Sequence, residues 1–270
     1  MHKKERAIAP PFLRHLQIKV SATTDFDTDQ LGTFTGEIPR KATASETAIQ
    51  KAKCGSQLMG TRFGLGSEGG FIPHPQIPFL LYDQEVLAFY DRDKDLSIVE
   101  FLGTHRTNYG YLDFKEQDEI LEFLNSIRFP SHGIVLSQVK EEKTHTLAKG
   151  VQDLSTLRNI ISKSLPVKNG VHLRVSTDMR AHMNPTRMGV IRALASKLAR
   201  RIACLCPQCQ TPGFGEKSVE RGIPCSWCHA PTRLVRAVRT QCIPCGHFEL
   251  EATKNSGQKA DPCYCPNCNP

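Results

Sequence analysis

Cys204-Leu-Cys206-Pro-Gln-Cys209, Pro224-Cys225-Ser-Trp-Cys228, Cys242-Ile-Pro-Cys245 and Cys263-Tyr-Cys265-Pro-Asn-Cys268 follow one another near one end of the chain. They hold ten of its 11 cysteines, with Cys54 alone upstream. A Cys-x-x-Cys turn offers two thiolates to one ion, and two such turns complete a tetrahedral zinc shell. Four pairs, each with a proline before or after a cysteine, predict two structural zinc ions held by Cys206, Cys209, Cys225, Cys228, Cys242, Cys245, Cys265 and Cys268. A redox dithiol needs one pair beside a thioredoxin-like pattern, which is missing here. Sequential pairing, first with second and third with fourth, closes the shortest loops and costs the least entropy. Crossed and nested pairings satisfy the spacing as well. With every position filled by thiolate no place remains for a catalytic water, so the metals are expected to fold the tail.

Working outward, the chain has 270 residues with 35 Lys and Arg against 27 Asp and Glu, a formal charge of +8. Its 39% hydrophobic content is enough for a core and argues against general disorder. No apolar run approaches the roughly 18 residues of a membrane span. Met1-His2-Lys3-Lys4-Glu5-Arg6 has no apolar stretch behind it, so a cytoplasmic protein without secretory leader or membrane contact is expected. Residues 201–270 carry eight basic and five acidic groups, and eight thiolates on two dications bring that segment to a net charge of about −1. A nucleic-acid reader concentrates positive charge in its ribbon. The tail therefore reads first as a structural or protein-docking ribbon, with Arg233, Arg236 and Arg239 as the residues that could face nucleic acid.

Upstream, strands and helices alternate. A short helix over 6–17, broken at Pro10-Pro11, is followed by a strand over 16–21 and a loop over 23–41. A helix opens at Ser45 as N-cap with Ala48, Ile49, Ala52 and Leu58 near one face. Residues 60–71 read as a strand running into a glycine-rich turn. A hairpin over 85–102 turns at Asp91-Arg-Asp-Lys-Asp95. Then come a helix over 115–126, a strand over 134–139, a helix over 153–165, a strand over 171–176 and a basic helix from Pro185 to Ala203. The alternation predicts an α/β domain, a mixed sheet flanked by helices over residues 1–202, joined to a double zinc-ribbon module over 203–270.

Three polar clusters fall at element ends, where sites form. In Gly36-Glu37 with Glu46-Thr-Ala-Ile-Gln50-Lys51, carboxylates beside a lysine suit a magnesium–phosphate site. Gly66-Ser67-Glu68-Gly69-Gly70 sets a carboxylate among glycines that let a ligand approach the backbone. Ser176-Thr-Asp178-Met-Arg180-Ala-His182-Met-Asn184-Pro-Thr-Arg187 precedes a helix N-terminus, where anions are favoured.

In their order along the chain these clusters resemble the inosine/xanthosine triphosphate pyrophosphatase family. The matching pieces are Gly36-Glu37, Glu46-Thr-Ala-Ile-Gln-Lys51-Ala52, Gly66-Ser-Glu68-Gly-Gly, and His182-Met-Asn-Pro-Thr-Arg187 before an Ala- and Leu-rich helix. His2-Lys3-Lys4-Glu5 is similar to that family's phosphate loop, and Glu68 stands where an aspartate is usual. Over nearly its whole length the chain also looks like a member of a bacterial family of unknown function that joins such a domain to a Cys-rich tail. The resemblance implies a nucleotide cleft between two lobes. Glu37 or Glu46 with Glu68 would hold magnesium. Lys51, Lys4 and Arg187 would hold phosphates, His182 would lie near the base, and Asp178 and Arg180 would complete the nucleotide site. The activity implied is magnesium-dependent release of pyrophosphate from a standard or modified nucleoside triphosphate. The alternative is a non-catalytic adaptor whose zinc tail docks nucleic acid or a protein, favoured if the basic groups of the 185–203 helix face outward.

Overall fold

The computed structural model describes residues 3–23, 42–74, 76–116, 120–141, 143–167 and 170–270. Its helices are α1 (Glu5–Leu16), α2 (Ala44–Leu58), α3 (Ile120–Ser126), α4 (Leu154–Ser164) and α5 (Pro185–Ala203). Its strands are β1 (Phe63–Pro73), β2 (Leu81–Asp91), β3 (Leu96–Thr104), β4 (Tyr111–Phe114), β5 (Ile134–Lys140), β6 (Lys143–Val151), β7 (Val171–Thr177), β8 (Glu216–Arg221), β9 (Val235–Gln241) and β10 (Phe248–Ala252). The chain forms two compact units, 1–198 and 199–270. Among the described residues no helix is long and apolar enough to cross a membrane.

Helices and strands are mixed in unit 1, but the single mixed sheet expected from the alternation is replaced by two antiparallel ones. These are ordered β1-β2-β3 and β4-β7-β5-β6. The second sheet packs Leu136, Leu173 and Val175 against Leu124 of α3 and Leu157 and Ile161 of α4. The first meets α2 through a different device. Gly64 and Gly66 lie directly beneath the helix: a Cβ on Gly66 would stand 1.9 Å from the Ala48 carbonyl oxygen, and one on Gly64 1.9 Å from that of Ala52. With Ala48 and Ala52 fully buried on the helix side, backbone rests on backbone. The glycines read as a turn are therefore the middle of a strand.

Three local expectations change. Helix α1 runs through Pro10 and Pro11, which forgo the amide bonds to the carbonyls of Arg6 and Ala7, and Pro11 is buried. It stops where Gln17 turns left-handed at φ 58°, and the strand expected over 16–21 is irregular chain. Thr43, not Ser45, caps α2 in a reciprocal capping box, donating and accepting with Glu46.

In unit 2, β8, β9 and β10 form an antiparallel meander. One Cys-x-x-Cys turn precedes β8, one joins β8 to β9, one joins β9 to β10 and one follows β10. Since successive antiparallel strands reverse direction, their connections alternate between the two ends of the sheet. The first turn is thereby brought to the third and the second to the fourth.

Candidate functional site

The thiols gather as that topology requires. Cys206, Cys209, Cys242 and Cys245 form one group and Cys225, Cys228, Cys265 and Cys268 the other, with all ligand atoms of a group within 4.8 Å. The pairing is crossed, not sequential: the short strands outweigh the modest loop-length advantage of neighbouring turns. Sulfur separations of 3.7 Å for Cys206–Cys245 and Cys209–Cys242, 4.0 Å for Cys225–Cys268 and 3.5 Å for Cys228–Cys265 bracket the edge of a tetrahedral zinc–thiolate shell. That edge is about 3.8 Å for a Zn–S bond of about 2.3 Å. In every turn the amide one residue past the second cysteine donates to the carbonyl of the first: Gln210 to Cys206 at 2.9 Å, His229 to Cys225 at 3.1 Å, Gly246 to Cys242 at 3.0 Å and Asn269 to Cys265 at 2.8 Å. The first cysteine of each pair is buried and the second exposed. The two four-thiol groups could hold metal ions such as zinc.

In unit 1 a cavity of about 410 Å³ opens beside β1, between residues of α1 and α2. Its charged lining includes Lys3, Lys4, Lys51, Glu68, Arg180 and Arg187. Its apolar lining includes Ile8, Phe12, Leu58, Met59, Leu87 and Phe89. Five residues singled out from sequence thus meet here: Lys4, Lys51, Glu68, Arg180 and Arg187.

Each is held by a specific partner. Lys4 Nζ donates to Ser67 Oγ at 3.0 Å, and burial pulls its ammonium below the ordinary lysine value despite Glu85 3.6 Å away. Lys51 pairs with Glu68 in the cavity wall. Arg187, 3% exposed, donates from Nε to Glu85 at 2.5 Å and from Nη1 to the Met179 carbonyl at 2.6 Å. Arg180 forks onto the buried Asp178 at 2.6–3.1 Å, a bond that raises the guanidinium pKa further.

The remaining candidates lie elsewhere. Glu46 is outside the cavity; its carboxylate is committed to the α2 cap, which holds its pKa down. Asp178 orients Arg180 without lining the cavity. His182 is not among the lining residues, and burial lowers its pKa. Asn184 Oδ1 accepts from the Arg187 amide at 3.0 Å, capping α5, so part of the polar run from Ser176 to Arg187 builds the helix start. Glu37 lies outside the described residues. The basic face expected along α5 is divided: Arg187 is buried, Lys197 pairs with Glu100 at 2.7 Å, and Arg192 and Arg200 are exposed.

Sequence reasoning missed Glu85 and Asp83 on β2. Glu85 is fully buried, Gly69 leaves room for its carboxylate, and its Oε2 has no hydrogen-bond partner among the described residues. Asp83, 2% exposed, likewise leaves Oδ1 without one; burial and the adjacent Glu85 push its pKa up to about 7. A signal was present: Asp83 and Glu85 have the same parity as Leu87 and Phe89, so they point to the same side of the strand.

No curated protein and no solved structure matches the chain. Residues 51–270, most of its length, match the family described as a domain of unknown function, DUF6671. By that match the protein belongs to the DUF6671 family.

Proposed function

We propose that unit 1 binds a nucleoside triphosphate and, with a divalent cation, hydrolyses it to the monophosphate and pyrophosphate, while unit 2 is folded by two zinc ions. The observation that carries this is one half-apolar cavity whose lining includes Lys4, Lys51, Arg180 and Arg187 together with Glu68. Phosphates need several cations at once, and a base needs an apolar slot. The resemblance of the sequence motifs to inosine/xanthosine triphosphate pyrophosphatases supports the same reading.

Glu68 on the cavity wall is the carboxylate that would meet a hard cation, with the phosphates themselves as its further oxygen ligands. Such a cation would supply Lewis acidity toward the phosphoanhydride. Lys4, Lys51 and Arg187 would bind the phosphate oxygens and stabilise charge developing on the departing pyrophosphate. Asp178 fixes Arg180 in one orientation at the cavity wall, so less rotamer entropy is lost on binding.

The test is pyrophosphate release from a panel of standard and deaminated nucleoside triphosphates with magnesium. Turnover is expected for at least one, and Glu68→Gln or Lys51→Ala should reduce it by at least tenfold. Absence of both turnover and binding across the panel, in protein that carries its zinc, overturns the proposal.

A further inference from the structure

Trp227, the only tryptophan of the chain, sits inside the second Cys-x-x-Cys turn and is 75% exposed. Its amide donates to Cys225 Sγ at 3.4 Å, so the backbone beneath the indole is fixed by the metal-site turn. Tyr264, 48% exposed, adjoins Cys265 of the same four-thiol group. Exposing an indole and a phenol on a rigid turn forfeits burial that aromatic residues otherwise provide.

Basic residues converge on this end of unit 2 through backbone bonds. The Arg233 amide donates to the Tyr264 carbonyl at 3.1 Å, and Arg221 Nη1 donates to the Arg233 carbonyl at 2.5 Å. The Ser226 amide donates to the carbonyl of Ala260, next to Lys259, at 2.9 Å. Arg221, Arg233, Lys254 and Lys259 are all exposed. Four of the five acidic residues of unit 2, Glu216, Glu220, Glu249 and Glu251, lie on the strands β8 and β10. Within 221–234 and 253–270 the sole acid is Asp261, whose carboxylate accepts from the Cys263 amide at 2.8 Å. Counting four thiolates on one dication, 221–234 and 253–270 come to about +1, against about −2 for the rest of residues 201–270.

From this juxtaposition we infer that the Cys225/Cys228/Cys265/Cys268 end of unit 2 is a binding platform for single-stranded nucleic acid. Trp227 and Tyr264 stack bases, and Arg221, Arg233 and Lys259 meet phosphates. Two aromatic faces among cations suit unpaired bases, which stack irrespective of sequence; a duplex keeps its bases stacked on one another and offers them no face. This inference is independent of the chemistry proposed for unit 1.

The single tryptophan makes the test direct. Full-length, zinc-loaded protein is titrated with a 12-nucleotide oligo(dT) and oligo(rU) while tryptophan emission is read. The emission should quench on binding, and log affinity should fall against log salt with a slope of about −2, set by roughly three phosphate contacts. A duplex of equal length should bind weakly. With fluorescently labelled oligonucleotide, Trp227→Ala and Tyr264→Ala should each lose roughly 5- to 150-fold in affinity. Trp227→Phe should retain most of it. Zinc analysis of each variant must still give two ions per chain. A flat titration, as a surface for a protein partner would give, overturns the inference. So does equal affinity for duplex, or undiminished binding by zinc-replete Trp227→Ala.

Discussion

Adding one methyl group at Gly66 should separate α2 from β1. The new Cβ would lie 1.9 Å from the Ala48 carbonyl oxygen and 2.6 Å from the Ala52 amide nitrogen. Ordinary contact begins at 3.4 Å, so the helix and strand must part by about 1.5 Å. Both obstructing atoms belong to helix backbone and cannot turn aside as a side chain would. A radial gap of even 0.5–1 Å forfeits about a quarter to a half of the dispersion well, here across the contacts of Ala48, Ala52, Val86 and Ala88. Gly66→Ala should therefore cost about 3 kcal/mol or more, at or above the upper end for overpacking. For a unit of this size that corresponds to a fall in Tm of roughly 6–12 °C. Gly189→Ala is the matched control, since that glycine is exposed within α5 and its Cβ would meet nothing within 4 Å. It should stabilise by about 0.5–1 kcal/mol through helix propensity. Thermal unfolding followed by far-UV circular dichroism measures both. A loss of less than 2 °C for Gly66→Ala would refute the backbone-on-backbone contact.

Three further outcomes follow from the geometry. Cys209→Ser with Cys242→Ser should lose one metal ion per chain, whereas Cys209→Ser with Cys228→Ser should lose two. Native mass spectrometry distinguishes these, and the reverse pattern would restore sequential pairing. Because Asp83 is raised to about 7 in the folded protein, its protonated form contributes stability below the unfolded value, and this is lost as pH rises through 7. Stability relative to Asp83→Asn should fall between about pH 4 and pH 7, by at most about 4 kcal/mol; urea midpoints that track each other across this range would count against the buried acid. Glu46→Gln should cost the α2 cap about 1 kcal/mol or less and leave nucleotide turnover unchanged, so a large loss of turnover would return Glu46 to the site.

The eight clustered cysteines were legible because ligand chemistry is local: a Cys-x-x-Cys turn means the same wherever it occurs. Their pairing was not, because it depends on three strands. One of them, Glu216-Lys-Ser-Val-Glu-Arg221, is exposed at almost every position and shows no alternation. Lys51, Glu68, Arg180 and Arg187 were visible within polar clusters, and Lys4 only through the resemblance of its segment to a phosphate loop. Glu85 was not, since a carboxylate in a hairpin strand reads as solvent-facing until Arg187, 102 residues further on, arrives to neutralise it. Glu46 misled for the opposite reason. A carboxylate near the start of a helix serves a cap as readily as a metal, and Thr43 three residues before it decides the matter. The glycines of β1 misled because close approach to a helix and a tight turn demand the same residue.

The interleaving of the metal sites also bears on how the chain is made. The ribosome delivers Cys206, Cys209, Cys225 and Cys228 before any later pair, and those four thiols are a complete but wrong ligand set. A metal captured at that stage would tie together turns that belong at opposite ends of the sheet, holding β8 away from the partners it later needs. Neither correct site can close until β9 has emerged and turned back. A misplaced ion would have to leave before either site of unit 2 could close.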